Sequence, residues 1–186
     1  MSTRAIVYGG AACVAALLVG LALFLAIMKR ETAGAPDYRV TPVGGIQYEE
    51  MDAHPIDLHN KVDRGLVTGL PARERRDLHG DILYGTFISL ANTSTRPLHS
   101  ATQIELRDED GHQFRPLALP LSNPYVYVPR VVGPGSRVPA QGSQADANLA
   151  AAGRLLLFKI PATLYKNGGV LELQIHQAGA TRSLIV

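Results

Sequence analysis

The sequence predicts a mainly β protein, an antiparallel two-sheet β-sandwich preceded by one N-terminal transmembrane α-helix. Three observations predict it. Residues 5–28 form a run of 24 without a charged side chain, flanked by Arg4 and by Lys29 and Arg30. At 1.5 Å per residue such a helix reaches roughly 36 Å, enough to cross a ~30 Å hydrocarbon core with some tilt. Beyond residue 43 the apolar period changes from helical to two, the period of a half-buried strand. Short apolar runs then alternate with Gly, Pro and Asn, giving about seven to nine strands without the intervening helices that a parallel α/β sheet requires.

The 186 residues divide into an anchor at 1–30, an extended linker at 31–43 with Gly34, Pro36 and Pro42, and a sandwich domain at 44–186. A soluble part of roughly 140 residues buries its own core without disulfides or metals. The single cysteine, Cys13, lies inside the apolar run and cannot pair with anything in that part. A cleaved signal peptide has an apolar core of roughly 7–15 residues before a small-x-small site. Here the run is longer, and Pro36 directly follows Ala33, Gly34 and Ala35. Lipidation at Cys13 requires a cut after Ala12, which leaves a short apolar stretch upstream with Gly10 in place of a larger aliphatic residue. The residues therefore predict an uncleaved anchor, with residues 5–28 in the lipid bilayer. Ala12, Ala16 and Gly20 recur at four-residue spacing, a stripe suited to helix-mediated self-association, although Ala and Gly are frequent throughout the chain. By flanking charge alone, Lys29 and Arg30 against Arg4 put the C-terminal side in the cytoplasm, by a margin that the free N-terminal amine narrows.

The elements follow in order. Residues 81–91 are apolar on both faces, as a central strand is. Residues 102–107 alternate, with Ile104 and Leu106 on one face. Asp110 and Gly111 mark a hairpin into residues 113–117. Residues 116–138 carry five prolines and are expected to cross between sheets at the rim. Residues 144–152 suit one or two helical turns, with Gly153 as terminator. Residues 155–160 are a short apolar strand ending at Pro161. Asn167 and Gly168 offer a second tight turn between residues 164–165 and 170–171. Residues 171–176 alternate cleanly. No other stretch after Met28 has a convincing helical period.

The stretch GTFISLAN at residues 85–92, then IELRDEDG at 104–111 followed by Phe114, Arg115 and Pro116, resembles a family of actinobacterial membrane-anchored proteins. Asn123, Pro124 and Tyr125, the segment from Pro134 and Gly135 to Val138 and Pro139, and LLLFKIP at 155–161 carry the same resemblance. That family has an immunoglobulin-like, telokin-like extracytoplasmic domain of unknown function. The resemblance covers most of residues 45–185. It implies an immunoglobulin-like sandwich facing outward from the cell membrane, against the marginal charge count, and it supplies no catalytic residues. The chain lacks the paired cysteines and the tryptophan of an antibody-type domain, so its core must rest on aliphatic residues with Phe87 and Phe158.

Charge and motifs exclude most chemistries. Outside the anchor region 15 Lys+Arg face 16 Asp+Glu, so no nucleic-acid partner is expected. The cluster Arg73, Arg75 and Arg76 is broken by Glu74 and followed by Asp77. Six histidines, among them His54 and His59, show no metal-ligand spacing. Met51 is the one sulfur residue after the anchor region, too few for copper handling. Asp108 to Gly111 departs from a calcium loop, with Leu117 where a glutamate is needed. No nucleophile elbow, Walker or Rossmann glycine pattern occurs. Asn92, Thr93 and Ser94 match a glycosylation acceptor but suit a strand-ending turn equally. No catalytic, cofactor or metal site is expected. The best surface candidate is residues 122–129, where Asn123, Tyr125 and Tyr127 stand in a proline-flanked segment, either as a rigid contact surface or as a loop folded over core. The function expected is a non-enzymatic protein-interaction or accessory module for another membrane or envelope component. The alternative is a small-ligand or metal-binding receptor domain.

Overall fold

A twelve-residue strand organises the molecule. The computed structural model describes residues 40–76, 78–147 and 152–186. The expected anchor at 5–28, its Ala12, Ala16 and Gly20 stripe, and residues 31–39 of the linker lie outside the described residues. Among the described residues no helix is long and apolar enough to cross a membrane.

The organising strand is β3 (Asp81–Asn92). On one edge it pairs antiparallel with β2 (Ile46–Pro55), which pairs in turn with β1 (Val40–Val43). On the other edge it pairs with β9 (Arg154–Pro161) and, further along, with β8 (Arg137–Val138). The second sheet runs β11 (Ala180–Ile185), β10 (Leu171–Gln177), β5 (Gln103–Asp108), β6 (Gln113–Phe114), all antiparallel. A small ladder joins β4 (Leu98–His99) to β7 (Val131–Val132).

Alternation along β3 sends Tyr84, Ile88 and Leu90 into one core and Leu83 and Phe87 into another. The first core lies between the sheets, where Tyr48 and Phe158 meet Leu106, Leu173 and Ile175. The second covers the outer face of the first sheet. There Phe87, Leu155 and Leu157 pack under Ile56, Leu66, Val67 and Leu70, with Leu119 from the proline-rich segment. Sheet one is thus buried on both faces, which is why residues 83–90 read as an unbroken buried run. Phe87 and Phe158 are both fully buried, one in each core, each contributing roughly 1.5–3 kcal/mol of apolar transfer.

Several expectations change. The first strand starts at Val40, inside the segment read as linker, and Gly44 with Gly45, at φ 59° and 88°, closes a two-residue hairpin into β2. Among the described residues three short helices occur where no helical period is visible: α1 (Lys61–Leu66), α2 (Ala72–Arg76) and α3 (Ala162–Lys166). Leu164 and Tyr165 sit in α3, so Asn167 and Gly168 end a helix rather than a hairpin. Residues 144–147 form hydrogen-bonded turns, and 148–151 lie outside the described residues. Whether Gly153 ends a helical turn lies outside the described residues. A Cβ there would stand 3.0 Å from the Ile88 main-chain nitrogen and 3.1 Å from its oxygen, so the glycine permits close approach to β3. The proline-rich segment does not merely cross at the rim: Leu117 and Tyr127 donate main-chain hydrogen bonds to Leu157 and Leu155 along the outer edge of β9.

Candidate functional site

Asn123, Tyr125 and Tyr127 do not come together. The segment is extended, so its side chains alternate in direction. Asn123 is buried: its Nδ2 donates to the Leu66 oxygen at 2.7 Å and the Thr68 oxygen at 3.1 Å, and its Oδ1 accepts from the Tyr125 N–H at 2.9 Å. It fastens the segment to the end of α1 and presents nothing to solvent. Tyr125 leans on the second core and lines a groove of about 590 Å³ with Val62, Gly65 and Gln144. Tyr127 leans on the first core and lines a different groove, of about 500 Å³. Its hydroxyl donates to the Ala101 oxygen at 2.6 Å, and burial pushes that phenol above its ordinary value.

The groove beside Tyr127 is built by an interrupted strand edge. At one end the Ser100 N–H donates to Arg130, continuing the β4–β7 ladder. At the other, Leu106 pairs with Phe114 and the Asp108 N–H donates to His112. β6 stops after two residues because Arg115 leads into Pro116, which has no N–H to donate. Between these ends Thr102 and Ile104 turn their main-chain groups away from β10. Among the described residues those groups have no hydrogen-bond partner. Ile104, Leu156 and Tyr127 form an apolar lining, and Pro116 and Pro129 bound it. Glu105 is buried on the neighbouring wall, accepting from Gln103 Nε2 at 3.2 Å and facing Arg115 Nε at 3.6 Å. The Arg115 side chain is 86% exposed. The register of β5 against β6 places Glu105 opposite Arg115 about the Asp110–Gly111 turn, a sequence signal that escaped notice because the turn was read and the cross-strand pair was not.

The histidines are occupied in different places. His54 Nδ1 lies 2.8 Å from Asp52 Oδ2, and its ring stacks on Phe87 at 5.5 Å between centroids. His59 belongs to an exposed turn in which its N–H donates to Asp57. Among the described residues the one group of three donors within 4.8 Å of one another is Asp108, Asp110 and His112, at the β5–β6 hairpin tip. There the Asp108 carboxylate already accepts from the His112 N–H at 2.8 Å and lies 2.9 Å from its Nδ1. Burial pushes the Asp108 carboxyl up, but the bonds from His112 outweigh it and hold the group below its ordinary value. The same hydrogen bond raises His112.

The glycosylation-like Asn92 is buried and fully engaged. Its Nδ2 donates to Arg96 and Val132 oxygens and its Oδ1 accepts from the Ser94 N–H and Oγ, so it ends β3 as a turn residue. Tyr48 and Gln177 tie the two sheets together. The Tyr48 hydroxyl donates to Gln177 Oε1 at 2.7 Å and accepts from the Ala101 N–H at 2.7 Å, while Gln177 Nε2 donates to the His99 oxygen.

No protein-family profile matches the chain, and no curated protein matches it. Three bacterial crystal structures resemble it. One is a candidate lipoprotein from Bacillus subtilis, 11% identical with a TM-score of 0.48, the match covering 80% of this chain and 38% of that one. The second is a conserved hypothetical protein from Bacillus anthracis, at 7% and 0.44, over 79% and 92%. The third is an uncharacterized β-sandwich protein from Clostridium difficile, at 11% and 0.39, over 79% and 89%. The chain therefore spans well under half of the Bacillus subtilis protein. These likenesses carry no argument about function.

Proposed function

We propose that this chain is a single-pass membrane-anchored, extracytoplasmic β-sandwich that serves as a non-enzymatic protein-interaction module for another membrane or envelope component. The observation that carries the reading is the groove at the interrupted edge of β5. It offers an apolar lining, bare main-chain groups and an exposed arginine on a scaffold whose loops are pinned by Asn92, Asn123 and Tyr48. A rigid surface of this kind binds with little loss of conformational freedom. The apolar run at residues 5–28 supports the anchoring, and confinement at a bilayer raises the local concentration of any partner held there.

The test uses the full-length chain in intact membranes with a photo-crosslinking amino acid at Thr102, in the groove, or at exposed Ser183, on β11 at the far edge of the second sheet. The expected result is a discrete light-dependent adduct from position 102 and none from position 183. No adduct from position 102, or identical patterns from both positions, overturns the reading.

A further inference from the structure

We propose that the groove is a strand-completion site: a partner's extended, acidic segment lies beside Thr102–Glu105 and fills the gap between β6, at the edge of the second sheet, and the β4–β7 ladder. This deepens the interaction reading and rests on it. The gap has the dimensions of a short strand. The three residues of β5 along the gap, Gln103 to Glu105, span about 10 Å at roughly 3.3 Å each, and pairing is taken up again on either side, by Ser100 with Arg130 and by Leu106 with Phe114. The unmet groups are the main-chain groups of Ile104 in β5 and of Thr102 in the bend that leads into it, and the ligand that matches them best is another main chain. Ile104 is itself buried, so its main-chain groups are poorly served by bulk water.

Charge selects the occupant. Glu105 is already engaged by Gln103 and Arg115. The exposed Arg115 keeps donors free, because its one contact to Glu105 is long and uses Nε alone. The free guanidinium donors of Arg115 at the rim favour a carboxylate-bearing segment over a basic one. Pro116 and Pro129 bound the opening, which limits pairing to a short segment and keeps whole sheets from stacking edge to edge.

The experiment selects random phage-displayed peptides of about twelve residues on the full-length chain held in lipid nanodiscs. Enriched peptides are expected to carry an acidic residue within an alternating β-branched stretch. They should slow exchange of the Ile104 amide by about tenfold or more, lose about fivefold or more in affinity against Arg115→Gln, and fail to bind when their central main-chain nitrogens are methylated. Absence of enrichment overturns the proposal. So does an Ile104 amide that exchanges unchanged with peptide bound, the same protection from free glutarate alone, or protection that appears on concentrating the chain without peptide. Peptides that instead protect the groove beside Tyr125 overturn strand completion while leaving the interaction reading standing, which the Thr102 crosslink judges separately.

Discussion

Two buried polar side chains in this molecule have opposite energetic signs. Asn123 satisfies two carbonyls and one N–H that burial would otherwise strand, so Asn123→Ala is expected to cost about 2–3 kcal/mol by urea unfolding. The Thr86 hydroxyl is fully buried and has no hydrogen-bond partner among the described residues, so Thr86→Val is expected to be neutral or to stabilise by up to about 1 kcal/mol in the same assay. Asn123 stands out in the sequence because it sits between prolines and tyrosines. Its inward role was not legible, since the partners that claim its amide lie more than fifty residues upstream. The hairpin tip sets a pH dependence. His112 is raised above 6.5, so its contribution is complete below that value and is lost as pH rises through the raised one. Asp108 is lowered below 3.8, so its contribution is present above that value and is lost as pH falls through the lowered one. Titration of the His112 ring by NMR is expected to give a midpoint above 6.5, and Asp108→Asn should bring it down. An unchanged midpoint would mean that the pair does not form in solution.

At the scale of elements, the strands β3, β5, β9 and β10 were legible from their own residues, whereas β2, despite its alternation, and β11 were not read. Ile104 and Leu106 of β5, and Leu171, Leu173 and Ile175 of β10, alternate because one face of their sheet meets core and the other does not. β3 reads as central because helices and a proline-rich strap cover its second face. Elements fixed by tertiary packing were illegible. Helices of five or six residues are too short to show a period, and β1 is held by pairing despite Pro42. Two backbone positions lend themselves to direct tests. Ala178 sits at φ 51° in the two-residue connection from β10 to β11, a conformation that a Cβ disfavours. Ala178→Asn is expected to raise stability by about 0.5–1 kcal/mol, read as a higher Tm. Gly153→Ala forces a Cβ against the β3 main chain and should lower stability by about 1–3 kcal/mol.

The described residues form two antiparallel sheets on a shared core, with a small two-stranded ladder beside them and a second core behind the first sheet. The sandwich was legible because strand count and punctuation are global properties of the sequence. The groove was not, because it depends on where β6 stops rather than on any motif. Anchoring is tested on the full-length chain: alkaline carbonate is expected to leave it in the membrane pellet, and a reporter fused after Val186 should report an extracytoplasmic position. Release by carbonate, or cytoplasmic reporter activity, would contradict the anchored, outward arrangement. The bridge from Tyr48 to Gln177 and Ala101 has a chemical corollary. Nitrating and iodinating reagents attack phenolate, and burial, reinforced by Tyr127, holds the Tyr48 phenol well above its ordinary value. Tyr165 is 51% exposed and open to such attack. Tyr48 is closed to it while the layers stay joined, so a nitro group on that ring is a tamper seal broken: it records that the two sheets have parted.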